Sequence, residues 1–333
     1  MLRMAFFLRG KRISYYGTAT ALSAARYGLA GASVGDYALF AGGYTSTWSD
    51  VVDAYNTSLT HSVPTALSVA RNILAGASNG DYALFAGGSN GNSVTTVDAY
   101  NTSLTRSTPT SPLSAARERL IGVSFNNKAV FAGGSKGSTH YGTVDIYDTS
   151  LTRTTPLDSL SSARDRLAGA SVGNYALFAG GNTGSITSAV DAYNVSFTRS
   201  IPTALNTARQ DLAGASVGSY ALFAGGYTGS VYSSVVDTYD MSLTHSTCTA
   251  LSAGRHYLAG ASVGGYALFA GGYTGSAYSS VVDVYSASLV RSTPTALNTA
   301  RERLSGASVG AYALFAGGYT GSVSSVVDVY KYS

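Results

Sequence analysis

Short apolar runs, each closed by a glycine pair, recur along the whole chain every 45 to 47 residues. The copy spanning residues 255–301 shows the pattern. Residues 258–263 are Leu, Ala, Gly, Ala, Ser and Val, small enough for an innermost strand where several sheets converge on a narrow axis. Gly264 and Gly265 follow as a two-residue hairpin turn that calls for positive φ. Residues 266–270 (Tyr, Ala, Leu, Phe, Ala) are apolar throughout, as expected of a strand covered on both faces. The pair Gly271 and Gly272 ends that strand where the backbone turns sharply and a neighbour packs close. A polar loop over 273–278 leads to residues 281–285, which hold three valines with Asp283 and Tyr285 and predict a third strand. After a turn at 286–288, residues 290–297 show the polar alternation of an outer edge strand, and Arg301 opens the next copy.

The glycine doublets count the copies: Gly42 and Gly43, Gly87 and Gly88, Gly133 and Gly134, Gly180 and Gly181, Gly225 and Gly226, Gly271 and Gly272, Gly317 and Gly318. One unit of about 45 residues cannot bury its own apolar face, so the copies must stack or close into a ring. The chain ends decide between the two. The last copy stops after its third strand, and what it lacks lies at the start, where residues 20–26 match residues 295–301. The expected fold is all-β: a seven-bladed β-propeller of four-stranded antiparallel blades, closed by the N-terminal strand pairing into the last blade. Blades are expected near residues 27–71, 72–117, 118–164, 165–209, 210–255 and 256–301, the seventh from 302–333 plus 13–26. Residues 1–12 read as a basic, poorly ordered leader.

The order of strand, Gly-Gly, loop, Val-Asp-x-Tyr, turn, strand and Arg resembles the kelch repeat over residues 13–333. The resemblance includes a tyrosine on the third strand: Tyr55, Tyr100, Tyr147, Tyr193, Tyr239, Tyr285 and Tyr330. Kelch repeats usually carry a tryptophan about seven residues later, where this chain has Ser62, Ser107 and Ser292; its only tryptophan, Trp48, falls in a loop. The departure implies that Leu59, Leu104, Leu151, Phe197, Leu243 and Leu289 take over part of that packing. Kelch propellers include partner-binding modules and a few enzymes, so the resemblance implies a shape and leaves activity open.

Composition narrows the field. Charged side chains are 11% of the chain, a balance that suits packed sheets with hydroxyl-rich surfaces. The formal charge of +4 is accounted for by Arg3, Arg9, Lys11 and Arg12; from residue 13 onward 17 basic side chains face 17 acidic ones. A neutral body lacks the field that phosphate backbones require, so nucleic acid is not an expected partner. No run is long and apolar enough for a membrane span, and residues 4–8 are too short for a secretory signal. The single cysteine, Cys248, permits no internal disulfide, which leaves the compartment open between bacterial cytoplasm, cell surface and phage particle.

Reactive constellations are lacking in the pattern. Kelch-type oxidases imply a copper site with histidine ligands and a tyrosine joined to a cysteine, whereas His61, His140, His245 and His256 fall at positions that do not converge. No metal, cofactor or catalytic residue is expected, and the competing reading is a propeller hydrolase, isomerase or oxidase with a site in the central channel. Seven arginines, Arg255 among them, open the first strands, and seven aspartates, Asp237 among them, lie on the third strands. Matching counts favour buried structural pairs over an arginine-lined mouth.

Copies differ most just after the constant arginine and just after the glycine doublet. Strand alternation brings both connections to one face. The binding residues expected there are Tyr27, Asn72, Glu118, Asp165, Gln210, His256, Tyr257 and Glu302 from the first connection, with Tyr44, Trp48, Tyr227, Tyr273 and Tyr319 from the second. Tyrosine, tryptophan and histidine anchor interfaces well. The reading is a non-enzymatic, monomeric interaction scaffold that holds a protein or glycan partner on this face, in the manner of bacterial surface or phage receptor-binding proteins.

Overall fold

The fold, taken from a computed structural model that describes residues 11–333, is seven four-stranded antiparallel sheets. A two-stranded hairpin (Ser135–Lys136 with Thr139–His140) is added in the longer loop of the third blade. In the first blade the strands are Ala30–Val34, Tyr37–Ala41, Val52–Asn56 and His61–Ser62. Each innermost strand packs on the innermost strands of both neighbouring blades, so the contacts run round a closed ring of seven. The expected β-propeller is therefore present.

The Ala-Leu-Phe-Ala segment of each second strand explains why the blades stack. Successive side chains leave opposite faces of a strand, and Leu39 joins a core with Phe85 and Tyr100 of the second blade while Phe40 joins one with Leu314 and Val327 of the seventh. Both are fully buried, each stabilising the ring by about 2 to 3 kcal/mol relative to exposure. Leu59, Leu104, Leu151, Phe197, Leu243 and Leu289 pack against these cores.

At the axis the limit is steric. A Cβ on Gly214 would overlap the carbonyl oxygen of Gly169 in the preceding blade, and the same overlap recurs from Gly260 to Gly214 and from Gly306 to Gly260. Only glycine lets neighbouring inner strands approach this closely.

Ile13–Thr18 pairs antiparallel with Val327–Tyr332 and supplies the fourth strand of the last blade, with a bulge between Tyr15 and Gly17. The ladder reaches one residue further than expected. Arg12 and Ser333 exchange backbone hydrogen bonds of 2.9 and 3.1 Å, and the Lys11 carbonyl accepts from the Tyr266 hydroxyl at 2.8 Å. Lys11 and Arg12 thus belong to the closed ring; the rest of the expected leader lies outside the described residues. The other fourth strands are shorter than expected, only Arg291–Ser292 in place of residues 290–297. Their remainder leaves the sheet because its backbone bonds the connection between the second and third strands of the same blade instead, as in Leu297 N–H to Ser280 O at 2.8 Å.

The constant arginines rivet adjacent blades. Arg71 donates its N–H to Ser49 O and accepts from Gly43 N–H, both in the first blade. Its guanidinium reaches Gly87 O and Phe85 O of the second blade, at 2.9 and 3.0 Å. It then meets Asp98 at 2.9 Å, both side chains fully buried. The same pair recurs in every blade: Arg26 with Asp53, Arg117 with Asp145, Arg164 with Asp191, Arg209 with Asp237, Arg255 with Asp283 and Arg301 with Asp328. Burial alone would raise the Asp53 carboxyl, but Arg26, the Ser23 N–H and His61 outweigh it and hold the group below the ordinary carboxylate range. These arginines are structural and do not line the mouth.

Candidate binding face at the axial mouth

Two connections per blade rise at one end of the ring, and they are tied together. The first residue after each constant arginine bridges the first residue after the doublet: Tyr27 with Tyr44, Asn72 with Ser89, Glu118 with Ser135, Asp165 with Asn182, Gln210 with Tyr227, His256 with Tyr273, and Glu302 with Tyr319. The variable positions of the sequence therefore share one surface.

The residue after that turns inward. Gly28, Ile73, Arg119, Arg166, Asp211, Tyr257 and Arg303 all have φ between 46° and 64°. The N–H of each donates to the carbonyl of its counterpart in the preceding blade, at 2.8 to 3.2 Å, from Ile73 to Gly28 and onward until Gly28 donates to Arg303. The result is a closed circle of seven backbone hydrogen bonds around the axis. Six members are not glycine, and left-handed backbone costs each of them on the order of 1 kcal/mol or more, so the circle holds a conformation that these residue types do not favour. Their side chains wall a cavity of about 430 Å³, which Leu29, Leu74, Leu120, Leu167, Leu212, Leu258 and Leu304 also line. Beneath the leucines the channel is lined by Ala, Gly, Ile121 and Ser305 and carries no carboxylate among the described residues.

The wall is electrically uneven. Arg119 comes no closer than 3.6 Å to Glu118 and 4.0 Å to Asp165, and Arg166 no closer than 3.9 Å to Asp211. Arg303 lies 4.4 Å from the Tyr257 ring centre and 5.8 Å from that of Tyr27, a cation stacked between aromatics. Burial pushes the Asp211 carboxyl up to about 6, against the pull of Arg166, a 3.1 Å hydrogen bond from Gln210, and Arg303. Burial, with Arg303 and Arg166 nearby, pushes the His256 imidazole down to about 4, so it is neutral at pH 7, and its Nδ1 has no partner among the described residues. The Tyr257 hydroxyl is raised by burial and by Asp211.

Around the mouth the blades divide into two halves. In the fifth, sixth, seventh and first blades the rings run in unbroken sequence: Tyr227, Tyr232, Tyr273, Tyr278, Tyr319, Tyr27, Tyr44 and Trp48, with successive centres 5.2 to 6.2 Å apart. His256 joins the arc against Tyr232 at 5.0 Å and stacks on Tyr257 at 4.2 Å. Trp48, at the far end, is 42% exposed. The second, third and fourth blades carry Asn72, Ser89, Glu118, Ser135, Asp165 and Asn182 at the matching places, and side-chain hydrogen bonds tie two of them to the next blade on either side of the fourth. Ser135 Oγ donates to Asp165 at 2.8 Å, and Asn182 donates to Gln210 at 2.7 Å.

Most of the expected site residues thus meet on one face. Asp165 and Gln210 are the corrections: they are 4% and 7% exposed and are occupied by Ser135 and Asn182, so they support the face instead of presenting themselves to a partner. Arg119, Arg166, Asp211 and Arg303 were not among the expected residues, although each directly follows one. Their variation between copies was a signal; the left-handed turn that aims them at the axis was not. Among the described residues no three His, Cys, Asp or Glu side chains gather as metal ligands.

No family model matches this chain. No curated protein matches it in sequence. Solved structures do resemble it: one described as the structure of YjhT superposes with a TM-score of 0.66, covering 83% of this chain and 99% of that one at 13% identity. At that identity the likeness is one of fold, and the fold it supports is the β-propeller.

Proposed function

We propose that this propeller is a non-enzymatic binding module that takes a glycan on the mouth face, with kelch-type repeats as its frame. The aromatic arc carries the reading. Sugar rings present weakly positive C–H faces that suit the negative face of an aromatic ring, and tyrosine adds a hydroxyl for the sugar's polar edge. A cavity of about 430 Å³ is within the range of small-molecule sites. A standard protein interface needs about 800 Å² per partner around apolar anchors, and of the large hydrophobics exposed among the described residues only Trp48 and Val231 lie in these loops. A protein partner is therefore the weaker reading.

Acid–base catalysis in the same cavity has one observation in its favour, the raised Asp211 carboxyl facing the space. Binding accounts for more of the face. The experiment is a glycan array probed with the wild type and with Tyr27→Ala/Tyr319→Ala, folding being checked by circular dichroism. Glycans are expected to be retained by the wild type and lost at least tenfold in the variant; absence of any retained glycan, or equal retention by the variant, overturns the proposal.

A further inference from the structure

We infer that the mouth is a subsite for an acidic group: a glycan lying on the aromatic arc places a carboxylate or sulfate between Arg119 and Arg166. The inference rests on the glycan reading of the face and adds the charge of the ligand to it. Arg119 and Arg166 belong to adjacent blades, the third and fourth, outside the aromatic half. Both line the cavity, and neither guanidinium makes a hydrogen bond among the described residues, since their acidic neighbours stand 3.6 to 4.0 Å away. Two planar forks with unfilled N–H groups are the donor set that binds oxyanions in bidentate fashion.

Repeat geometry does not require arginine here. The equivalent positions hold Gly28, Ile73 and Tyr257 in other blades, with the same backbone. What the geometry does supply is rigidity, because the circle of backbone hydrogen bonds fixes where each guanidinium stem starts. A subsite held in place before the ligand arrives loses less entropy on binding. Seven leucines of the lining put apolar surface beside the charges, and Coulomb attraction is stronger where the surroundings are less polar than water. Arg303 is engaged with Tyr27 and Tyr257 and lies 3.5 Å from Glu302, so it belongs to the aromatic side. Asp211 is the one carboxylate of the lining among the described residues, and it stops competing for the arginines once it takes up a proton, near pH 6.

The test uses matched pairs of glycans that differ only in charge: oligogalacturonates against their methyl esters, and sulfated against unsulfated galactosides. Binding to the full chain is measured by titration calorimetry. Acidic members are expected to bind at least tenfold more tightly than their neutral partners. Arg119→Gln and Arg166→Gln, singly and together, are expected to erase that preference while leaving the neutral affinity unchanged, and Arg119→Lys to restore part of it. If acidic and neutral members bind alike, or the preference survives both substitutions, the acidic subsite is wrong and the glycan face stands. If no member of any pair binds, both readings fall. Whether the carboxylate or the sulfate pair shows the larger preference identifies the acid.

Discussion

Removing the Asp237 carboxylate tests the architecture at one of its buried ion pairs. The Arg209 guanidinium, the Asn206 N–H at 2.8 Å and His245 Nε2 at 2.6 Å all converge on it, and both members of the Arg209–Asp237 pair are shielded from solvent. In Asp237→Ala the guanidinium keeps its bond to Phe223 O at 2.9 Å but stays buried without a counter-charge. Breaking a buried pair in this way costs about 3 to 5 kcal/mol. Unfolding entropy of about 2.1 cal/mol/K per residue, over 333 residues, gives about 0.7 kcal/mol/K. The melting midpoint should therefore fall by about 4 to 7 °C. Differential scanning calorimetry reads this directly, and Arg209→Met in the same background separates charge from packing. The double variant should be less destabilised than the sum of the single ones, by about 0.5 to 3 kcal/mol, because the stranded charge is gone. A loss below about 1 kcal/mol for Asp237→Ala, or a strictly additive cycle, would refute the view that these pairs rivet the ring.

Two further outcomes follow from the axis. Gly214→Ala should cost more than about 3 kcal/mol and sharply reduce folded yield, since its Cβ meets a backbone carbonyl in a closed ring that cannot yield; Gly142→Ala, whose nearest contact would be 3.4 Å, is the control. Thermal melts of the two compare them, and equal stability would count against the steric account. Binding of a sulfated ligand, ionised at all working pH values, should strengthen as pH falls from 7.5 to 5. Asp211 takes up its proton near pH 6 and stops competing for Arg166 and Arg303. His256, held near 4, stays neutral through that window, and Gln210 does not titrate. Calorimetric titrations at several pH values should show the trend in the wild type and lose it in Asp211→Asn; a pH-independent affinity in the wild type would contradict it. The same raised carboxyl makes folding stability fall as pH rises from about 4 to 6, because over that span the native state holds a proton that the unfolded chain has released.

The repeat made the architecture legible in advance. Seven glycine doublets, the Ala-Leu-Phe-Ala runs and the split last copy are local patterns, and each has one structural solution: a turn, a doubly covered strand, and a ring closed by residues 13–18 against residues 327–332. The pairing of arginine with aspartate could be read from matching counts because burial forbids leaving either alone. The gathering of Tyr27, Tyr44 and Trp48 on one face also followed, from strand direction alone.

What tertiary structure decided is which variable side chains reach the axis. Arg119, Asp211 and Tyr257 take a left-handed backbone that their residue types disfavour, and they do so because seven N–H groups and seven carbonyls can all be satisfied only by closing one circle through every blade. A constraint shared by seven segments, each some 46 residues from the next, leaves no trace in any of them alone. The same is true of the division into an aromatic and a polar half, which exists only once the first blade is set beside the seventh.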